Sequence, residues 1–367
     1  MTYDITVLVP TYNEVECIET AVRTITDVFT THSIRGEILV VDDASTDGTV
    51  DVVARLGTEL PHVHIMVRER DHGLSKSVID GFHHAQSEYI LVTDADLQHD
   101  VRLIPVFLQR LREGYEIVIG SRYMGGGGIK QWGLQRRIIS IGATGLGRML
   151  LPEITDPVSG FFAVTRTVVE HADMDGRGYK ICMDVLGKGR YTRVVEIPYI
   201  FQSRKYGASK LKRNTIVEYA LQVLELIGYS LCHHDSPIWH EWMKLGRFAA
   251  VGLSGVVVNW GAYAVVSRTV ILDYMVAALV AIELSIITNF LLNDTWTFSD
   301  SPHTESKLVR FGKFQAISII GVAIQLGIFC ALVQAGFYDL VVYPIGIIVA
   351  FAWNFYINRI VTWRKPT

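Results

Sequence analysis

The first 200 residues alternate short apolar runs, rich in β-branched residues, with stretches in which apolar residues recur at helical spacing. The apolar runs predict five strands: Ile5 to Val9, Glu37 to Val41, His64 to Val67, Tyr89 to Thr93 and Ile117 to Gly120. Strands that are separated by helices are joined by right-handed crossovers, which favours a mostly parallel sheet. The pattern therefore predicts a Rossmann-like α/β domain.

From residue 248 onward, charged residues become rare over four long stretches, 248–266, 274–292, 314–335 and 340–357. Each stretch is close to the roughly 20 residues that a helix needs to cross a bilayer, so we predict four transmembrane helices. The apolar stretch 216–231 is shorter, apolar on one side and preceded by the basic segment 201–213. It is predicted to lie in the membrane interface rather than to span the bilayer.

These patterns divide the chain into an α/β domain at residues 1–212, interfacial helices at 213–243 and a membrane domain at 244–367. The membrane domain contains an internal repeat, because the sequence KLGRF at 244–248 recurs as KLVRF at 307–311. Each unit of the repeat is predicted to be a two-helix hairpin, which gives both units the same orientation.

The basic residues that flank the predicted spans are unevenly distributed. Those on one side are Lys244, Arg247, Lys307, Arg310, Lys313, Arg359, Arg364 and Lys365, against Arg268 alone on the other. Because cytoplasmic loops carry the excess of basic residues, we predict that the α/β domain and both termini lie in the cytoplasm.

The composition narrows the class of protein. Hydrophobic residues make up 50% of the 367 residues and the mean hydropathy is +0.28, which is too apolar for an ordinary soluble protein. The net charge of -3 argues against a nucleic-acid-binding protein, which is usually basic. The four cysteines are scattered without a Cys-x-x-Cys pair, so no zinc site is indicated.

Two carboxylates and an amide follow the fourth predicted strand. Asp94 and Asp96 are one residue apart, and Gln98 is the next side chain on that side if the chain stays extended. Oxygen donors of this kind suit Mg²⁺ or Mn²⁺ that is held partly by substrate phosphates. Taken alone, an Asp-x-Asp triplet is more typical of an ordinary turn, in which Asp is common.

Polar residues also follow the first, second and fifth predicted strands, at the edge of a parallel sheet where ligands bind. They are residues 10–14 (PTYNE), Asp42 and Asp43, and Ser121 with Arg122. Asp42 or Asp43 can accept N–H donors from a base, and Arg122 can offer a planar fork to phosphate. Surface turns alone would not need these groups at one edge, so a nucleotide-diphosphate site is favoured. Without a G-x-x-x-x-G-K-[ST] or G-x-G-x-x-G loop, a metal ion must serve the phosphates.

Three further segments have two interpretations each. The glycine run 125–128 is either a solvent linker or a lid. Arg136 and Ser140, one helical turn apart, belong either to a solvated surface helix or to a second phosphate site. Arg204 and Lys210 lie in the most basic segment, which can attract anionic lipid headgroups, bind phosphate, or both.

Taken together, the motifs resemble a known family. They are PTYNE (10–14), DDASTDGT (42–49), GLSKSVIDGF (73–82), DADLQH (94–99), GSRY (120–123), DPVSGFF (156–162) and RKYGASKL (204–211). This combination resembles the dolichol-phosphate mannose synthases, which are inverting family-2 glycosyltransferases of GT-A fold. Residues 244–367 resemble the four-helix GtrA-like membrane domain that some members carry.

The resemblance implies a role for each matching residue. The residues that would hold the nucleoside are Pro10, Tyr12, Glu14, Val41 and Asp43. Those that would hold the diphosphate are Asp94, Ala95, Asp96 and Gln98, with Asp96 and Gln98 as ligands of Mg²⁺ or Mn²⁺. Donor phosphates or sugar would be contacted by Arg122, Lys180, Arg204 and Lys210, and the acceptor phosphate by Arg136 and Ser140. The residues implied to be catalytic are Asp94, Asp96 and Arg122.

The implied reaction transfers mannose from GDP-mannose to dolichyl or another polyprenyl phosphate at the membrane, and nucleic acid has no part in it. The alternatives are a sister enzyme that uses UDP-glucose or another sugar nucleotide, a processive polysaccharide synthase and a lipid-linked sugar flippase. The Q-x-x-R-W motif of processive synthases is absent. Intact acids at every strand end argue against a flippase with a vestigial nucleotide domain.

Overall fold

A seven-stranded sheet forms the centre of the N-terminal half of the chain. The computed structural model describes residues 3–130, 133–170, 172–176, 178, 180–203, 213–233, 236–269, 274–299 and 305–363. The strands are β1 (Ile5–Thr11), β2 (Gly36–Asp42), β3 (Val63–Val67), β4 (Tyr89–Val92), β5 (Ile117–Ser121), β6 (Gly128–Ile129), β7 (Phe162–Thr165), β8 (Val194–Pro198) and β9 (Ile200–Phe201). The sheet has the order β3-β2-β1-β4-β7-β5-β8, and β6 pairs with β9 in a separate ladder.

Helices connect the strands. Those of the first half are α1 (Val15–Thr31), α2 (Thr49–Glu59), α3 (Leu74–His84), α4 (Ile104–Arg112), α5 (Leu134–Leu150), α6 (Arg166–Glu170), α7 (Ile181–Lys188) and α8 (Arg213–Cys232). Because helices cover the sheet, its inner strands are buried on both faces: all seven residues of β1 are buried, Thr6 and Thr11 included. Close packing is visible at Gly81 of α3, where a Cβ would stand 1.9 Å from Leu8 Cδ1.

The predicted mostly parallel sheet is confirmed, and all five predicted strands are present with ends that differ by at most two residues. Strands β6, β7, β8 and β9 lie beyond the five predicted strands. Strand β7 is antiparallel to both of its neighbours, β4 and β5, so it reverses the local direction without reversing β5. The carboxyl ends of β1, β2, β4 and β5 therefore lie at one edge of the sheet.

Helix α8 packs on α7 through a polar seam. Lys188 Nζ of α7 lies 2.6 Å from Glu225 Oε1 of α8. One turn earlier, Gln222 Nε2 donates to Asp184 Oδ1 at 2.7 Å. Burial raises the pKa of Asp184 to about 6, against the bond from Gln222 and the charge of Lys188, which lower it. The other face of α8 exposes Leu221 and Leu224.

The chain divides into two units, residues 1–240 and 241–367. The remaining helices are α9 (Pro237–Thr269), α10 (Tyr274–Leu292), α11 (Lys307–Gln334) and α12 (Asp339–Ile357). Within the described residues, four helical segments are long and apolar enough to span a bilayer: Pro237–Arg268, Tyr274–Thr297, Lys307–Gln334 and Val342–Thr362. The four predicted transmembrane stretches fall on these helices.

The repeat noted in the sequence has a structural counterpart in the second unit. Helices α10 and α12 each continue into a five-residue π-helix, Asn293–Thr297 and Asn358–Thr362. Asn289 of α10 packs on Gly255, where a Cβ would lie 2.4 Å from the amide nitrogen, and Asn354 of α12 packs on Gly321 in the same way at 2.3 Å. Each hairpin therefore brings an asparagine against a glycine of its partner helix.

Two ion pairs join the first hairpin of the second unit to the second hairpin. Arg310 donates two hydrogen bonds to Asp294, at 3.0 and 2.9 Å, and the indole of Trp363 donates to the same carboxylate at 2.9 Å. Arg359 pairs with Glu241. An apolar cluster that includes Phe248, Phe290, Phe298, Phe314 and Trp363 packs within the same unit.

Candidate active site

The nucleoside end of the predicted site begins where β1 and β2 end. Pro10 and Val41 pair across these strands and their side chains are buried, whereas Tyr12 is 49% exposed. Glu14 is partly buried and its backbone N–H donates to Thr49 Oγ1 at 3.0 Å. These residues are brought together, with Tyr12 offering the exposed surface on which a base can stack.

The structure distinguishes the two acids after β2. Asp42 is fully buried and accepts hydrogen bonds from Thr11 Oγ1, Ser45 Oγ and Ser45 N. Its role is to close the turn that follows the strand. Asp43 is the partly accessible acid, with 12% of its side chain exposed.

Asp43 is held in place by three donors. Its Oδ1 accepts from Arg68 Nη1 at 2.7 Å and lies 3.0 Å from His72 Nδ1, and its Oδ2 accepts from Gly73 N at 2.7 Å. Arg68 also bonds Asp80 at 2.6 Å, so it links the end of β2 to helix α3. A carboxylate has about four lone-pair sites, and these three donors leave one on Oδ2 for an N–H of a base.

The segment after β4 is a turn. The condition under which Gln98 would share a side with Asp94 and Asp96, an extended chain, is not met: β4 ends at Val92, and Leu97 has a φ of +60°. This left-handed conformation is unfavourable for a residue with a branched side chain. It brings Gln98 back so that its N–H donates to Asp96 Oδ1 at 3.1 Å.

The turn gives the acids different environments. Asp96 and Gln98 are 4% and 3% exposed and Ala95 is buried, whereas 40% of the Asp94 side chain is exposed. Gln98 Nε2 donates to Gln202 O at 2.9 Å, which turns the amide oxygen away from that carbonyl. Asp94 is therefore the acid that a substrate can reach directly.

His99 lies behind Asp94. It stacks on Phe161, with ring centroids 5.1 Å apart, and its Nδ1 accepts from Thr93 Oγ1 at 3.2 Å and from Asp94 N at 3.3 Å. Because Nδ1 is an acceptor, Nε2 carries the proton, and it lies 3.8 Å from Asp94 Oδ2. Burial lowers the pKa of His99 to about 4 although the charge of Asp96 raises it, so the ring is neutral at pH 7.

Arg122 follows β5 and is bound to an acid that the sequence-based site did not contain. Its Nε and Nη2 donate to the two oxygens of Asp156 at 2.7 and 2.8 Å, and its backbone N–H donates to the same carboxylate at 3.0 Å. Asp156 is fully buried. Burial alone would lower the pKa of Arg122, but the bond and charge of Asp156 raise it above the ordinary value. The fork predicted for phosphate is thus bonded to Asp156 instead.

Asp156 has its own supports. Glu196 of β8 accepts hydrogen bonds from the backbone N–H of Asp156 at 3.0 Å and from Thr155 N at 2.8 Å. Ser121 Oγ lies 2.6 Å from Thr155 Oγ1. Asp156 opens the motif DPVSGFF, which was the sequence signal that could have identified it as part of the site.

The predicted acceptor side adjoins Arg122. Tyr123 is the next residue, and its hydroxyl lies 2.8 Å from Ser140 Oγ of helix α5. Helix α5 also contains Arg136, whose side chain lies outside the described residues. The glycine run 125–128 is folded by backbone hydrogen bonds, from Gly127 N to Met124 O at 2.8 Å and from Gly128 N to Tyr199 O at 3.1 Å.

Lys180 stands at the start of helix α7, where Gln222 bonds its backbone. The pKa of His99 is lowered mainly by burial and is raised by the charge of Asp96. The charges of Arg122 and Lys180 lower it further. These charges therefore share one neighbourhood. Arg204 and Lys210 lie outside the described residues, and their predicted contacts stay predictions.

The described residues can supply some, but not all, of the ligands of a divalent ion. No group of three or more His, Cys, Asp or Glu side chains in the described part of the chain is arranged to hold a metal. Asp96 and Gln98 offer a carboxylate and an amide oxygen within one turn. Hard oxygen donors in small number suit Mg²⁺ or Mn²⁺, which commonly take their other ligands from phosphates and water.

Comparisons with known proteins identify both parts of the chain. The family model described as Glycosyl transferase family 2 matches residues 6–172, and the model described as GtrA/DPMS, transmembrane domain matches residues 247–363. The dolichol-phosphate mannosyltransferase of Pyrococcus furiosus is 37% identical over 362 residues, covering 98% of this chain and 99% of that protein. The protein of the same name from Saccharomyces cerevisiae is 35% identical over 236 residues, covering 62% of this chain and 88% of that protein.

A solved structure also aligns with the first half. Glucosyl-3-phosphoglycerate synthase from Mycobacterium tuberculosis has a TM-score of 0.46 and 19% identity, covering 61% of this chain and 79% of that chain.

Replacing Asp156 by alanine should destabilise the protein by about 3–5 kcal/mol, because it leaves the buried guanidinium of Arg122 without a carboxylate. Denaturant unfolding of the detergent-solubilised protein, followed through the N-terminal unit, measures this. The matched control is Glu59→Ala, which removes the exposed pair with Arg23 and should cost no more than about 1 kcal/mol. Equal effects of the two variants would contradict the assignment of Asp156 as a buried structural partner.

Proposed function

Because the chain belongs to the dolichol-phosphate mannosyltransferases of glycosyltransferase family 2, we propose that it transfers mannose from GDP-mannose to dolichyl or another polyprenyl phosphate. The observation that carries the proposal is the site after β4, where the exposed Asp94 stands beside the buried pair Asp96 and Gln98. The four apolar helices fit an acceptor whose isoprenoid tail stays in the bilayer.

In the proposed reaction, Asp96 and Gln98 would hold Mg²⁺ or Mn²⁺ together with the diphosphate of the donor. The ion would supply Lewis-acid stabilisation of the leaving nucleoside diphosphate. Asp94 would face the donor sugar, kept in place by His99 behind it. Tyr12 and the remaining lone pair of Asp43 would hold the nucleoside, above the buried Pro10 and Val41.

The acceptor phosphate supplies the nucleophile. A phosphate monoester has a second pKa of about 6 and is largely ionised at neutral pH, so no general base is required. His99 is unsuited to that role because its Nδ1 is already an acceptor and its pKa is about 4. Ser140 and Arg136 would receive the acceptor phosphate, and Lys180, Arg204 and Lys210 would contact the donor. In-line attack would invert the anomeric carbon and give a β-linked lipid-phosphate mannose.

Arg122 has a modified role in this scheme. With Nε and Nη2 bonded to Asp156, it would contribute positive charge and shape to the phosphate end rather than a planar fork. The rigid pair would also fix Tyr123, whose hydroxyl reaches Ser140. Donor and acceptor ends would thereby be held by adjacent residues of one segment.

Transfer itself is tested by supplying membranes that contain the protein with polyprenyl phosphate and labelled GDP-mannose or UDP-glucose. We expect label in the organic extract with GDP-mannose. Product from UDP-glucose alone would replace the proposed donor but keep the reaction class, since a carboxylate accepts N–H from guanine or uracil alike. No labelled lipid from either donor would refute the proposed reaction.

Asp96→Ala should reduce transfer by at least about 100-fold, about 3 kcal/mol of transition-state stabilisation, because it removes a ligand of the ion that stabilises the leaving group. Chelation of divalent ions in the unmodified protein should give a similar loss that Mg²⁺ or Mn²⁺ reverses. The control is Asp27→Ala, an exposed acid on α1. Full activity after chelation would exclude the metal-dependent scheme.

The basic residues that flank the spans support a cytoplasmic position for the first unit and both termini. Cys232 of α8 is exposed, whereas Cys17 and Cys182 are buried. In a Cys330→Ala background, a membrane-impermeant maleimide should therefore label inverted vesicles and spare intact cells. Labelling of intact cells would reverse the proposed orientation.

A further inference from the structure

Gln222 is an unusual residue on helix α8. Its neighbours Leu221 and Leu224 are 59% and 63% exposed, but Gln222 is only 2% exposed. A buried side-chain amide is unfavourable unless its donor and acceptor are both satisfied. Its partners therefore indicate why a polar residue stands at this position.

The amide of Gln222 bonds both backbone groups of one residue. Its Oε1 accepts from Lys180 N at 3.1 Å, and its Nε2 donates to Lys180 O at 3.0 Å and to Asp184 Oδ1 at 2.7 Å. A paired residue in a β-ladder exchanges the same two bonds with its partner. The Gln222 side chain thus makes with the Lys180 backbone the two hydrogen bonds that a paired residue of a neighbouring strand would make.

The chain before Lys180 is shaped to admit this amide. At Gly178 a Cβ would lie 2.2 Å from the Gln222 side chain, so a larger residue there would displace the amide. The described residues between α6 and α7 form no regular secondary structure. Gln222 therefore supplies hydrogen bonds that a strand neighbour would otherwise give.

Lys180 lies at the start of α7, next to the helix of the proposed acceptor side. Tyr219 of α8 donates to Ala143 O of α5 at 2.7 Å and lies 3.6 Å from Met183 Sδ of α7, so the start of α7 adjoins the helix that contains Ser140. Lys180 is also the N-terminal capping position of α7, so its backbone sets where the long side chain begins. A shift of this backbone would move the ammonium group relative to a bound diphosphate.

We propose that Gln222 is a positioning residue of the glycosyltransferase site, which fixes the backbone of Lys180 so that the lysine ammonium reaches the donor phosphates. The inference rests on the proposed function, in which Lys180 contacts the donor. It adds that a residue of the helix following the basic segment acts on donor binding through Lys180 rather than by touching the donor.

The test is a double-mutant cycle on the full-length protein in detergent with lipid, using Lys180→Ala, Gln222→Met and the double variant. Methionine keeps most of the volume against Gly178 but removes the three hydrogen bonds. Two readouts are measured, the dissociation constant of GDP with Mn²⁺ and kcat/KM for GDP-mannose. Each single variant should weaken both by roughly tenfold.

If Gln222 acts through Lys180, Gln222→Met should cost no more than about twofold in the Lys180→Ala background, where no ammonium remains to be positioned. An undiminished tenfold loss in that background would overturn the proposal, because it would mark a general structural role. Glu218→Ala, an exposed truncation on the same helix, is the control and should leave both readouts unchanged.

A second pair of variants tests the proposal if the Gln222→Met protein does not fold. Gln222→Glu removes the donor to both Lys180 O and Asp184 Oδ1. Asp184→Asn restores a donor at the second contact only, so the combination should recover the stability of the fold while GDP affinity stays at least threefold below that of the unmodified protein. Full recovery of GDP affinity would count against the proposal, because the bond to Lys180 O would still be absent. If the protein bound GDP without transferring mannose, the proposed reaction would fail while the cycle in GDP affinity still decided the role of Gln222. If it bound no GDP, both would fail.

Discussion

The buried pair of Arg122 and Asp156 is the interaction on which the active-site edge depends. When two opposite charges are almost fully removed from water, removing either one leaves the other as an uncompensated buried charge, which is strongly destabilising. Asp156 is in turn tied to β8 through Glu196, and its neighbour Thr155 is tied to Ser121 at the end of β5. The loop before β7 cannot move away from β5 without exposing a single charge to an apolar interior, so the edge of the sheet is rigid where chemistry is proposed.

Much of the fold could be predicted from the sequence because burial on both faces makes strands such as β2 continuously apolar over residues 38–41. The turn after β4 could not. Its shape depends on the left-handed Leu97 and on the carbonyl of Gln202, a partner 104 positions away from Gln98. The acids were recognised by type and spacing, but their different exposures follow from tertiary contacts that no local pattern contains. The motif DPVSGFF does contain Asp156, but its pairing with Arg122 joins residues 34 positions apart, which the motif alone does not show.

Hydropathy identified the four apolar helices because a bilayer imposes length and composition on a helix directly. It could not identify polar contacts among them. Glu283 in α10 accepts from Gln315 Nε2 at 3.1 Å, which agrees with the expectation that an acid within a span is hydrogen-bonded. The close approach of Asn289 to Gly255 depends on which glycine faces which helix, and periodicity alone leaves that choice open.

The ion pairs of the second unit have a consequence for its assembly during synthesis. Glu241 and Asp294 belong to the first hairpin, and their partners Arg359 and Arg310 belong to the second. The two arginines are made after the first hairpin has left the ribosome. Until then Glu241 has Lys244 of its own helix 3.6 Å away, and the contacts of Asp294 with Arg310 and Trp363 cannot form. The pairing across the hairpins is therefore completed only when the last residues of the membrane unit have been made.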